Sequence, residues 1–240
     1  MVSQGAYMKA LLGIASVVGL LAGGPAVAAD MPLKAPAAPY YDWSGIYFGG
    51  SGGAGRLNTH WDFTAAGTFP SPNPTDDATW VGGGLAGIQW QTGSWVFGAE
   101  ANWIATGLET EATCPNPTFH CVTRLRDYWT AGARVGYVMW NALWYATGGF
   151  AEGSIKTRAP NVATGVNLWT TSTNHPGWFI GAGSEFQLGS GFILGFEYDH
   201  VQFDTRTHNP VPALPGDVHT IKADVDSLRA RLTYKFNVWR

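Results

Sequence analysis

The sequence predicts an all-β fold: an eight-stranded antiparallel up-and-down transmembrane β-barrel with four long extracellular loops and short periplasmic turns. Three observations predict it. Apolar and polar-or-small residues alternate with period two in several segments, the intervals between segments alternate long and short, and tryptophans gather at segment ends.

Composition narrows the alternatives. Charged residues make up 13% of the 240 residues, about half the usual quarter, which argues against a disordered, solvating chain. A mean hydropathy of -0.04 argues against a bundle of membrane helices. The formal net charge of -3 offers no basic face for phosphates, so nucleic acid is excluded as a partner.

Residues 1–29 read as a signal peptide. Lys9 precedes the apolar run Ala10 to Ala22, Gly23-Gly24-Pro25 breaks that run before it is long enough to span, and Ala26-Val27-Ala28-Ala29 supplies the small residues of a cleavage site after Ala28 or Ala29. Met8, directly ahead of Lys9, is a more natural start than Met1. Residues 30–42, with Pro32, Pro36 and Pro39, read as a Pro-rich periplasmic linker, and 43–240 as the outer-membrane barrel with no soluble domain after it.

Five strands have clear faces. They are Trp95 to Ile104, Tyr128 to Val138, Trp178 to Gln187, Phe192 to His200 and Leu228 to Phe236. In each, one face is apolar (Leu228, Ala230, Leu232, Tyr234 and Phe236 in the last) and the other polar or small. Trp43 to Gly55, Trp80 to Gln91 and Leu143 to Gly153 complete eight, with their inward faces open. The long intervals are 56–79, 105–126, 154–175 and 204–224; the short ones are 92–94, 139–142 and 188–191. Long loops at one end and tight turns at the other fit a barrel crossing a membrane. Trp43, Trp90, Trp95, Trp140, Trp144 and Phe236 then fall at the periplasmic ends, and Trp80, Trp103, Trp129 and Trp178 at the opposite ends, as interfacial girdles.

The inward faces collect Glu100, Arg134, Glu185, Glu197, Asp199, Arg229, Arg231 and Lys235. An eight-stranded barrel is just wide enough for side chains to fill, so these charges are expected to pair. Counting from the periplasmic ends sets Glu197 beside Arg231 and Glu100 beside Arg134. Packing and register come first as their role, and selectivity in a narrow conduit second. Cys114 and Cys121, in an exported chain, read as one disulfide closing a short surface loop.

Other motifs lack their context. Gly50 to Gly55 and Gly82 to Gly87 match G-x-G-x-x-G, and Gly49 to Gly53 matches G-x-S-x-G, but none opens onto a helix. The six histidines lack metal-ligand spacing. Asp76, Asp77, His60, Asp62, Asp217 and His219 are loop or rim residues, read as solvation rather than catalysis. Neither a catalytic site nor a metal or cofactor site is expected. His60, His208 and His219, with Trp61 and Trp169, offer at most a grip on a flat iron porphyrin.

Ala29-Asp30-Met31-Pro32-Leu33-Lys34-Ala35-Pro36, then Tyr41-Asp42-Trp43-Ser44-Gly45-Ile46-Tyr47-Phe48-Gly49, and the closing Leu228 to Phe236 resemble the small outer-membrane β-barrel surface antigens of alphaproteobacteria, the porin-family proteins. The resemblance covers essentially the whole mature chain. It implies a barrel like the OmpA transmembrane region, set in outer-membrane lipid and lipopolysaccharide with its loops outside the cell. It also implies delivery by the outer-membrane assembly machinery, read from Tyr234 and Phe236, although Asn237-Val238-Trp239-Arg240 follows the final aromatic. Members are structural proteins, porin-like proteins, adhesion or immune targets and haemin binders. The expected function is structural support of the envelope with a surface-exposed role. A low-conductance porin is second, and a receptor for haemin or a host surface ligand third.

Overall fold

The computed structural model describes residues 41–63, 78–114, 116–208 and 219–237. The signal peptide with its cleavage residues Ala28 and Ala29, most of the linker, and Asp76, Asp77 and Asp217 lie outside the described residues.

Among the described residues nine strands form one antiparallel sheet: β1 (Gly45–Phe63), β2 (Thr79–Thr92), β3 (Trp95–Thr106), β4 (Glu109–Thr113), β5 (His120–Met139), β6 (Ala142–Pro160), β7 (Asn167–Gly189), β8 (Phe192–His208) and β9 (His219–Phe236). Their order is β3-β2-β1-β9-β8-β7-β6-β5-β4, and pairing of β3 with β5 closes the sheet. The closed ring therefore has eight strands. Short β4 continues the β3 edge upward along β5, with Glu109 opposite Arg124. Closure pairs the backbone groups that hydrocarbon cannot solvate.

At the periplasmic end the three hairpins turn on two residues each: Gly93-Ser94, Trp140-Asn141 and Ser190-Gly191. The first residue of each turn has positive φ, at 60°, 56° and 51°. That handedness matches the twist of the strands it joins.

The opposite end departs from the expected loops. Most of residues 154–175 is strand, β6 running to Pro160 and β7 starting at Asn167, and β1, β5, β8 and β9 also extend far into the long intervals. The extension has its own logic. On β9, Leu228, Leu232, Tyr234 and Phe236 point outward while Ser227, Arg229, Arg231 and Thr233 are buried inside; above Asp226 the polarity reverses, with Ile221, Ala223 and Val225 inside and Lys222 exposed outside. The geometry continues unchanged, but the medium outside the barrel changes from hydrocarbon to water. Below the reversal the barrel is apolar outside and charged inside. Above it the same strands enclose an apolar core of Leu57, Val81, Ile104, Leu125, Tyr128, Ile155, Phe179, Val201, Phe203 and Val225 among others.

The exposed tryptophans mark both rims, Trp90, Trp95, Trp140 and Trp144 below and Trp80, Trp103, Trp129 and Trp178 above. Trp43 is a correction to the girdle reading. It is 1% exposed and packs inside the barrel with Val96, Val138, Leu143, Tyr145 and Ile193. Its N–H donates to Gln91 Oε1 at 2.8 Å and its carbonyl accepts from Gln89 Nε2 at 2.7 Å, so both polar ends are satisfied in the mouth of the barrel.

Candidate functional site: the barrel interior and its outer extension

The charged side chains are positioned by inward parity on five strands, and glycine makes room for them. Across the ladders Glu100 faces Gly87 and Gly132, Arg134 faces Gly98, Glu197 faces Gly183, Asp199 faces Gly181, and Arg231 faces Gly195. A Cβ on Gly181 would stand 2.2 Å from Asp199 Oδ1, and one on Gly183 2.5 Å from the Tyr145 hydroxyl. These glycines are thus the floor on which the long polar side chains lie.

Seven of the eight expected charges join one chain of alternating sign: Glu185, Arg134, Glu100, Arg231, Glu197, Arg229, Asp199. Arg134 reaches Glu185 at 3.0 Å and Glu100 at 3.1 Å; Arg231 contacts Glu100 and Glu197; Arg229 reaches Glu197 at 2.7 Å and contacts Asp199. All seven are between 1% and 6% exposed. At such burial each charge needs its partners, because unpaired it would cost several kcal/mol.

Lys235 does not join. Its Nζ donates to the Ser44 carbonyl at 3.0 Å and to Asn237 Oδ1 at 2.6 Å, and contacts the Asp42 carbonyl, at the periplasmic mouth. It ties the last strand to the segment entering the first. The network therefore sets three guanidinium groups against four carboxylates.

Two tyrosines complete it that the sequence reading did not include. Tyr47 donates to Glu100 Oε2 at 2.8 Å while accepting from Arg134 at 2.8 Å. Tyr145 donates to Glu197 Oε2 at 2.7 Å while accepting from Arg231 at 2.8 Å, and the Arg134 guanidinium lies 3.9 Å over its ring. Both sit on strands whose inward face the pattern left open. The available signal was their matching position: each is an odd-numbered aromatic between lipid-facing even-numbered apolar residues, Ile46 and Phe48 or Trp144 and Ala146.

This charged layer is enclosed. Below it lies the apolar layer around Trp43 and Leu143, with Tyr41 packed against it; above it lies the core of the extension. Burial, with the charges of Asp42 and Glu185, pushes the Tyr41 phenol up to about 12.

Higher still, Trp61 and Trp169 are buried with Cys121, Ala159 and Ile221, ring centroids 6.3 Å apart. They are core residues, which corrects the porphyrin-stacking role given to them. His60 faces outward, 3.3 Å from Asp62. The β8–β9 register sets His208 opposite His219. Cys114 and Cys121 form a disulfide between the end of β4 and the start of β5.

Lipid-facing apolar strands, aromatic rims and a paired, buried interior define an integral outer-membrane β-barrel with its long-strand end outside the cell. The chain belongs to the outer membrane protein β-barrel domain family, whose model matches residues 26–237. It is 28% identical over 262 residues to the 31 kDa outer-membrane immunogenic protein of Brucella melitensis, covering 95% of this chain and 100% of that one. It is 27% identical to the 25 kDa outer-membrane immunogenic protein of Brucella ovis, with 88% of each covered. Among solved structures it is similar to Ail, the attachment invasion locus protein of Yersinia pestis, at a TM-score of 0.39 and 14% identity, covering 80% of this chain and 99% of that one. A major outer membrane protein from Thermus thermophilus gives 0.42 and 13%, covering 79% and 99%.

Proposed function

We propose that the protein supports the envelope as a sealed barrel and displays a β-sheet platform outside the cell, rather than passing solutes or catalysing a reaction. The observation that carries this reading is the buried charge chain enclosed between two apolar layers. A conduit needs a continuous polar path, and each apolar layer interrupts it. The names of the Brucella relatives, both outer-membrane immunogenic proteins, support a surface-exposed rather than enzymatic role. The reading includes export by residues 1–29, passage of the linker 30–42 through the periplasm, and assembly through the outward-facing Tyr234 and Phe236, whose rings meet at 4.7 Å.

The test is single-channel current across a planar bilayer from protein shown folded by a heat-dependent gel shift. Silence is expected. Discrete, reproducible steps refute the sealed barrel and put the low-conductance porin in its place.

A receptor role for haemin or a host surface ligand is the second reading, favoured by the His208 and His219 register pair near the extracellular rim. Absorbance titration with hemin should show binding that weakens at least tenfold when both histidines become alanine. Unchanged affinity removes this reading.

A further inference from the structure

On the outer wall, one row above the exposed pair Tyr198 and Leu228, β8 and β9 bring a histidine and two aspartates onto one face. Asp224 and Asp226 alternate along β9 and so share a side, and His200 stands directly opposite Asp226 in the β8–β9 register. His200 Nδ1 lies 2.9 Å from Asp226 Oδ1, and one donor atom from each of the three residues falls within 4.8 Å of the other two. Tetrahedral bonds of about 2.0–2.2 Å set ligand atoms about 3.3–3.6 Å apart, so side-chain rotation closes the remaining gap.

The surroundings hold these groups in place. The Tyr198 hydroxyl donates to Asp226 Oδ1 at 2.6 Å, and the Asn58 amide donates to Asp224 Oδ2 at 2.9 Å. Each carboxylate is therefore aimed by a neutral donor outside the trio, as outer partners aim metal ligands. The His200 and Asp226 side chains are 32% and 34% exposed, open to ions from the medium yet partly shielded, and the Trp178 ring lies 5.8 Å from the imidazole. Charge then selects the kind of ion. Arg56 of β1 stands opposite Asp226 on its other side, so two carboxylates are set against one guanidinium. The single negative charge left over is little for calcium, which takes about six to eight oxygens. An imidazole nitrogen and two carboxylate oxygens, with room for water, suit zinc and its transition-metal neighbours.

We propose that His200, Asp224 and Asp226 form a surface site for one divalent transition cation of the zinc class, completed by water. Binding releases the proton that lies between His200 and Asp226, and the ion takes its place. It ties β8 to β9 at the height where the wall leaves the hydrocarbon. Spacing along the chain showed no metal motif because the register of two strands, and not one segment, assembles the ligands. The site is independent of whether the barrel conducts.

The experiment is calorimetric titration of the full refolded protein, without an affinity tag, with zinc chloride in an uncharged maltoside detergent and a non-chelating buffer. One ion per chain is expected. Losing an outer partner of a metal ligand costs about 10–100-fold, so H200Q and D224N, each removing a ligand, should weaken zinc binding at least tenfold. H60Q removes a different outward imidazole, 3.3 Å from Asp62 on β1, and should change affinity less than twofold. Calcium should bind at least about tenfold more weakly than zinc. Each variant is first shown folded by the heat-dependent gel shift, and H200Q and D224N are read separately so that either decides. Absence of saturable zinc binding, or wild-type affinity in H200Q or D224N, overturns the proposal. So does calcium binding as tightly as zinc, because the imidazole would then play no part, and so does a loss in H60Q equal to that in H200Q.

Discussion

Replacing Arg231 by methionine removes the central cation of the interior and keeps a side chain of similar length. In the wild type, Arg231 contacts Glu100 and Glu197, donates to the Tyr145 hydroxyl at 2.8 Å and lies 3.6 Å from Glu185, at 1% exposure. Without it, two guanidinium groups face four carboxylates in a layer closed to water. Breaking a buried ion pair from one side costs about 3–5 kcal/mol, most of it the desolvated charge left behind. R158M is the control. It breaks an ion pair of similar length, 2.9 Å to Glu109, at side-chain exposures of 39% and 35%. Solvent screening holds that loss to about 0–1 kcal/mol. Urea unfolding in phospholipid vesicles, followed by tryptophan emission, measures both. With a slope of about 2 kcal/mol/M, R231M should lower the midpoint by about 1.5–2.5 M and R158M by less than 0.5 M. Adding Glu100→Gln and Glu197→Gln to R231M should restore much of the loss, since neutralising the stranded partners removes the charge that costs. Similar midpoints for R231M and R158M would refute the reasoning, because the inner charges would then have to be hydrated.

The polarity reversal along β9 predicts opposite tolerances on a single outward face. L232K, in the lipid-facing stretch, should cost about 2–4 kcal/mol in the same urea assay. D224K, above the reversal, should stay within about 1 kcal/mol, the loss being mainly the Asn58 amide bond to Asp224 at 2.9 Å. Equal losses at both positions would place the membrane boundary elsewhere.

Much of this was legible in residues taken one strand at a time. Alternation assigned Glu100, Arg134, Glu185, Glu197, Asp199, Arg229 and Arg231 to the inside, because a strand's side-chain direction is a local property with period two. The spacing of turns set the strand count. The reversal above Asp226 was also written in β9, where Ile221, Ala223 and Val225 take the parity that Arg229 and Arg231 hold below. Reading residues 204–224 as loop concealed it.

Partners were a different matter. Counting up from Phe192 and Phe236 sets Glu197 level with Arg231, but the ladder pairs Phe192 with Tyr234, so Glu197 faces Arg229 and meets Arg231 on the diagonal. That two-residue stagger belongs to the closed ring, and no single strand contains it.

The class of fold, the lipid-facing surface and the set of inward charges each follow from near neighbours along the chain. No such local rule places Lys235 outside the network at the backbone carbonyls of the mouth, brings Tyr47 and Tyr145 into it, or turns Trp43 inward to close its lower side. Those outcomes depend on how strands far apart in sequence are staggered against one another when the sheet closes, and on the volume that closure leaves inside.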